Sequence, residues 1–116
     1  MNTLIILNDP AYGSERTYNG LRLALSLAKA EDVELRVFLM GDSVTAAKPG
    51  QKTPEGYYNT QNMIGAVIRH GGTVGVCGSC IDARGITDGE LAEGARRSSL
   101  DELTAWTLDA DRVLTF

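Results

Sequence analysis

The apolar positions of the chain fall into two kinds of run. One kind is short and continuous: residues 3–8 (Thr-Leu-Ile-Ile-Leu-Asn), residues 33–40, and residues 73–76 (Thr-Val-Gly-Val). A strand buried on both faces reads this way, without alternation. The other kind recurs at helical spacing. Between Glu15 and Ala30 a wide stripe forms from Leu21, Ala24, Leu25 and Ala28, with Leu23 and Leu27 beside it. Across 56–70 the clearest set is Met63, Ala66 and Val67. Ser14 is the predicted N-cap of the first helix, and Gly71-Gly72 stops the second.

Weaker signals complete the series. A helical turn is predicted over 43–47, and another over 78–84 that Gly85 closes. Thr87-Asp88-Gly89-Glu90 reads as a capping box before a further short helix. Residues 95–98 read as a weak strand. Ser99-Leu100-Asp101-Glu102 is a second capping box, opening a helix that carries Leu103, Trp106 and Thr107. The last strand is expected over 111–116. Strand alternating with helix predicts an α/β fold with parallel strands and helices on both faces of the sheet. No repeat or linker divides the chain, so residues 1–116 are read as one domain.

Composition narrows the function classes. Hydrophobic residues are 43% and charged residues 22%, ordinary for a globular protein. The formal charge of −4 argues against nonspecific nucleic-acid binding, which needs a basic face. No apolar run approaches a membrane span, and the N-terminus lacks a secretory signal. The expected compartment is the cytoplasm, where thiols stay reduced. One histidine and two cysteines leave a four-ligand zinc site short, and no cofactor is implied. Nor does a lone His70, read as a helix-end residue, make a Ser-His-Asp arrangement.

The expected site follows from the fold. Open α/β sheets bind ligands beyond the carboxyl ends of their strands. Those ends carry Asn8-Asp9, Gly41-Asp42 and Cys77-Gly78-Ser79-Cys80. Asn8, Asp9 and Asp42 are therefore candidate rim residues, the first two also being good turn formers before Pro10. Cys77-x-x-Cys80 places two thiols one helical turn apart, suited to a disulfide or to metal ligation. Cys77 follows a strand and precedes a helical turn whose N–H groups favour a thiolate, and which of the two cysteines leads stays open. Gly78, Ser79, Asp82 and Arg84 are candidates for tuning that thiolate or meeting a partner. For Asp82 and Arg84 a plain ion pair is the competing reading. Gly72, Gly75 and Gly78 lack the lysine of a phosphate-binding loop and read as close-packing positions. Tyr57, Tyr58 and Trp106 read as packing or interface residues.

The segment from Cys77 to Ile86, Cys-Gly-Ser-Cys-Ile-Asp-Ala-Arg-Gly-Ile, closely resembles the signature of the DsrE/DsrF-like family of small sulfur-relay proteins. Leu-Asn-Asp-Pro, Gly-Ser-Glu-Arg, Phe-Leu-Met-Gly-Asp and the closing Ala-Asp-Arg-Val-Leu-Thr-Phe extend the resemblance along the whole chain. It implies a three-layer α/β/α sandwich with a mainly parallel sheet of about five strands, and assembly into trimers or hexamers. It also implies a persulfide held on a cysteine of this segment and handed to a partner protein. Members with one such cysteine place it eight residues before the glycine of an Arg-Gly pair, which here is Cys77 before Gly85. The expected function is thus a sulfur carrier rather than a turnover enzyme, with donor and acceptor proteins as partners and Cys80 resolving the intermediate as a disulfide. Two alternatives stand beside it: a thiol–disulfide redox protein using Cys77 and Cys80, and a non-catalytic oligomeric binder of a small ligand.

Overall fold

The structure, a computed structural model, describes residues 1–54 and 58–116. Five strands form one sheet: β1 (Asn2–Leu7), β2 (Glu34–Leu39), β3 (Thr73–Cys77), β4 (Arg96–Ser98) and β5 (Arg112–Thr115). Their order is β4-β3-β2-β1-β5, and every pairing is parallel. The helices are α1 (Arg16–Ala28), α2 (Thr60–Arg69), α3 (Gly78–Ala83) and α4 (Leu100–Asp109), with 3-10 segments over Gly41–Ala47 and Asp88–Glu90. The α/β sandwich expected from the chain is what forms, with the sheet parallel throughout.

Topology decides how the helices divide. From β1 to β4 the chain steps one strand at a time in one direction across the sheet. Right-handed crossovers put the intervening helices on a single face. The return from β4 to β5 runs the opposite way, so α4 crosses the other face alone. The buried clusters agree. Ile5, Leu7, Val37, Leu39, Val74 and Val76 pack with Leu21, Ala24, Ile64, Val67 and Ile81 from α1, α2 and α3. Leu4 and Phe38 pack with only Leu103 and Trp106 from α4. Strand register sorts the residues in the same way, since Phe38 lies beside Gly75, and Cys77 beside Ser98. Side chains alternate along a strand, so Gly75 and Cys77 share the α4 face.

Several boundaries differ from those predicted. The first helix begins at Arg16, with Glu15 at the cap position and no side-chain cap. Ser14, the predicted cap, lies one residue earlier; its hydroxyl donates to Asp9 at 2.7 Å and accepts from the Arg16 N–H at 3.4 Å. The second helix, predicted over 56–70, spans Thr60–Arg69, capped by Asn59; residues 56 and 57 lie outside the described residues, Tyr57 with them. Thr87 and Glu90 form both halves of the predicted capping box, but they close a single 3-10 turn rather than open a helix. Ser99 accepts from the Glu102 N–H at 3.2 Å, while the Glu102 carboxylate turns to Arg96 and Ser98. No helix among the described residues is long and apolar enough to cross a membrane.

Candidate functional site

Cys77 ends β3 and stands at the cap position of α3; Cys80 lies inside the first turn of that helix. The chain thus leaves an extended strand and winds at once into a helix, which brings the two sulfurs to 2.7 Å, with the Cys80 thiol donating to Cys77. Both cysteines are free and half-buried. The Ser79 hydroxyl lies 3.4 Å from Cys77 Sγ. On the far side, the backbone N–H of Gly41 donates to Cys80 Sγ at 3.2 Å. Gly41 holds φ at 57°, in the left-handed region that favours glycine.

The two thiols differ electrostatically. Burial pushes the Cys77 thiol up, but hydrogen bonds from the Cys80 side chain, the Ser79 hydroxyl and the backbone of Cys80 and Ser79 outweigh it. Cys77 therefore sits below the ordinary cysteine value. Burial also pushes Cys80 up, and giving its proton to Cys77 adds to that. The Gly41 N–H and the Arg84 charge pull the other way without reversing the balance. The pair titrates as a unit in which Cys77 carries the first negative charge and Cys80 keeps the proton. A thiolate is the nucleophilic form of cysteine.

A cleft of about 500 Å³ opens above the pair on the α4 face. Phe38, Met40 and Leu100 supply its apolar wall, and Ser98, Ser99 and Arg97 its polar rim. Arg97 lies against Gly78: a Cβ there would stand 2.8 Å from the guanidinium Nε. The same guanidinium is clamped by Asp82 at 2.6 Å and Asp88 at 3.1 Å. The Asp82 carboxyl is held below the usual range chiefly by its hydrogen bonds from Arg97.

The remaining predicted residues separate into two groups. Arg84 donates to Asp42 at 2.7 Å and to the Cys80 carbonyl at 3.0 Å, so both belong to the back of the cysteine pair. That ion pair compensates the Arg84 charge, which acts on Cys80. Asn8 and Asp9 line a different depression, with Arg16, Thr115 and Phe116. The Asn8 side chain donates to the Phe116 carbonyl at 3.2 Å, and Asp9 accepts from Ser14. Asn8 serves the β1–β5 junction and Asp9 the turn into α1, and neither lines the cleft above the sulfurs. Sequence reasoning missed Arg97, Phe38, Met40 and Leu100. The available signal was Gly78, whose missing side chain marks where a neighbour comes close.

The family model for DsrE/DsrF-like proteins matches residues 1–116. The chain belongs to the DsrE/DsrF-like family. Among its relatives, protein YchN of Escherichia coli strain K12 is 46% identical over 114 residues, covering 97% of each chain. An uncharacterized protein of Methanocaldococcus jannaschii, MJ0989, is 36% identical over 116 residues, covering 100% of both. The crystal structure of YchN from E. coli superposes with a TM-score of 0.91 at 45% identity, covering 100% of both chains. The DsrE-like family is associated with sulfur relay.

Proposed function

We propose that the protein carries sulfur as a persulfide on Cys77 and passes it to a thiol of a partner protein. The observation that supports this most directly is the asymmetry of the cysteine pair, with the lowered thiol at the mouth of the cleft. In loading, the Cys77 thiolate attacks the outer sulfur of a donor persulfide. The donor S–S bond breaks, the donor leaves as its thiolate, and a Cys77 S–S bond forms. In unloading, an acceptor thiolate attacks that outer sulfur and Cys77 leaves as the thiolate again. No net oxidation occurs in either exchange, and a leaving group of lowered pKa speeds the second.

The setting we infer is the cytoplasm, where both thiols stay reduced. We also infer assembly with further copies of the same chain. Leu100 is 69% exposed and Leu108 83% exposed, both on the helix that alone covers the cysteine face. A second reading, thiol–disulfide exchange, draws on the short distance between the sulfurs.

The test is intact mass after a brief exposure of reduced protein to a persulfide donor, followed by an acid quench. The expected result is a gain of one sulfur atom in the wild type and in Cys80→Ser, and none in Cys77→Ser. A Cys80→Ser protein that gains no sulfur overturns the carrier reading.

A further inference from the structure

We propose that Cys80 reduces a persulfide carried on Cys77, releasing hydrosulfide and leaving a Cys77–Cys80 disulfide. This rests on the carrier reading and gives the same site a second outcome. A carrier needs one sulfur. Here a second is held 2.7 Å from the first, within the same helical turn. It is also supplied with a backbone donor of its own, the Gly41 N–H at 3.2 Å, which approaches from a different part of the chain. That donor is placed to stabilise negative charge on Cys80 as the sulfur becomes a nucleophile. Gly41 follows β2 and Cys80 follows β3, so two neighbouring strand ends converge on one thiol.

The step balances without any outside oxidant. Loaded Cys77 carries an inner and an outer sulfur, the outer one ionised. The proton of Cys80 passes to the outer sulfur, and the Cys80 thiolate attacks the inner one. The inner–outer S–S bond breaks, the Cys77–Cys80 bond forms, and the outer sulfur departs as hydrosulfide. The persulfide sulfur is reduced by two electrons and the two cysteine sulfurs are oxidised by the same two. A dithiol reductant restores the starting pair. An acceptor thiolate that reaches the outer sulfur first diverts the same intermediate to relay. The acceptor, by arriving or not, decides between transfer and release.

The experiment loads reduced protein with inorganic polysulfide, removes the excess by rapid desalting, and incubates without reductant. Released sulfide is trapped with monobromobimane while intact mass is followed in time. Wild type is expected to release one equivalent of sulfide per loaded chain and to end two hydrogens lighter than the reduced protein. Cys80→Ser and Cys80→Ala are expected to keep the added sulfur and release none over the same period. Wild type that holds its sulfur as long as both variants, with no sulfide, overturns this proposal and leaves the carrier reading intact. Variants that never gain sulfur overturn both.

Discussion

The indole of Trp106 occupies the space where a side chain on Gly75 would begin: a Cβ there would stand 3.0 Å from the ring. The ring also meets Phe38 edge-on, with centroids 6.2 Å apart. Gly75 sits mid-strand, where a glycine ordinarily weakens the sheet, and close approach of α4 is what it provides. Gly75→Val is therefore expected to destabilise the fold by about 1–3 kcal/mol through overpacking, despite the better strand propensity of valine. Urea denaturation measures it, and a variant as stable as wild type contradicts the packing argument.

Thiol reactivity gives a second expectation. Because Cys77 is lowered and Cys80 raised, iodoacetamide near neutral pH modifies Cys77 first. Cys80→Ala removes a donor to Cys77, so the pH at which Cys77 becomes reactive moves upward. Peptide mass mapping after partial alkylation, across a pH series, reads both. Equal labelling of the two cysteines in wild type runs against the assignment.

Acid sensitivity follows from three carboxylates. Asp82 is lowered chiefly by Arg97, Glu90 by the Thr87 backbone N–H, and Glu102 by Arg96. The folded state then binds fewer protons than the unfolded state across the carboxylate range. Their contribution is fully present above that range and is lost as pH falls through the lowered values. Urea midpoints are expected to drop on the acid side, and Glu102→Gln to make the drop shallower. A variant with an unchanged acid limb removes Glu102 from this account.

α4 depends on its cap. Ser99 Oγ satisfies the Glu102 N–H, one of the otherwise unpaired amides at the helix start. Ser99→Ala is expected to cost about 1 kcal/mol. Ser99 also borders the cleft, so the loss should come with faster alkylation of Cys77. A stability change below the measurement error tells against the cap.

Self-association has its own readout. Lysine at both Leu100 and Leu108 places charge on two exposed apolar positions while leaving Leu103 and Trp106 buried. The double variant is expected to stay folded by circular dichroism and to shrink to the monomer mass in light scattering, where the wild type is larger. A monomeric wild type ends the proposal of assembly.

How far the chain announced this arrangement depends on whether a feature is local. The strands β1, β2 and β3 were legible because burial on both faces forces continuous apolar runs. The placement of Cys77 at a strand end followed from the same runs. Ser14 was off by one position: the helix takes Glu15 as its cap, and the Ser14 hydroxyl accepts from the Arg16 N–H while donating to Asp9, five residues back. Glu102 completed only half a capping box because Arg96, from β4, claims its carboxylate. Arg97 was invisible for a similar reason. Its place beside Gly78 exists only once β4 has paired with β3, and no local pattern encodes that pairing. Asn8 and Asp9 share a sheet edge with the cysteines, yet β2 lies between β1 and β3, which suffices to give them another depression.

The two outer strands carry one more consequence. β4 has three residues and β5 four, and they present Arg96, Arg97 and Arg112. Short borders lined with charged side chains are poor templates for an incoming strand. Such borders disfavour extension of the sheet by backbone pairing with a neighbour. Under the proposed assembly, side-chain contact across a face is the favoured route, and the face left thinly roofed is the one where the sulfurs open. In the proposed assembly, quaternary structure and access to Cys77 would share the same ground.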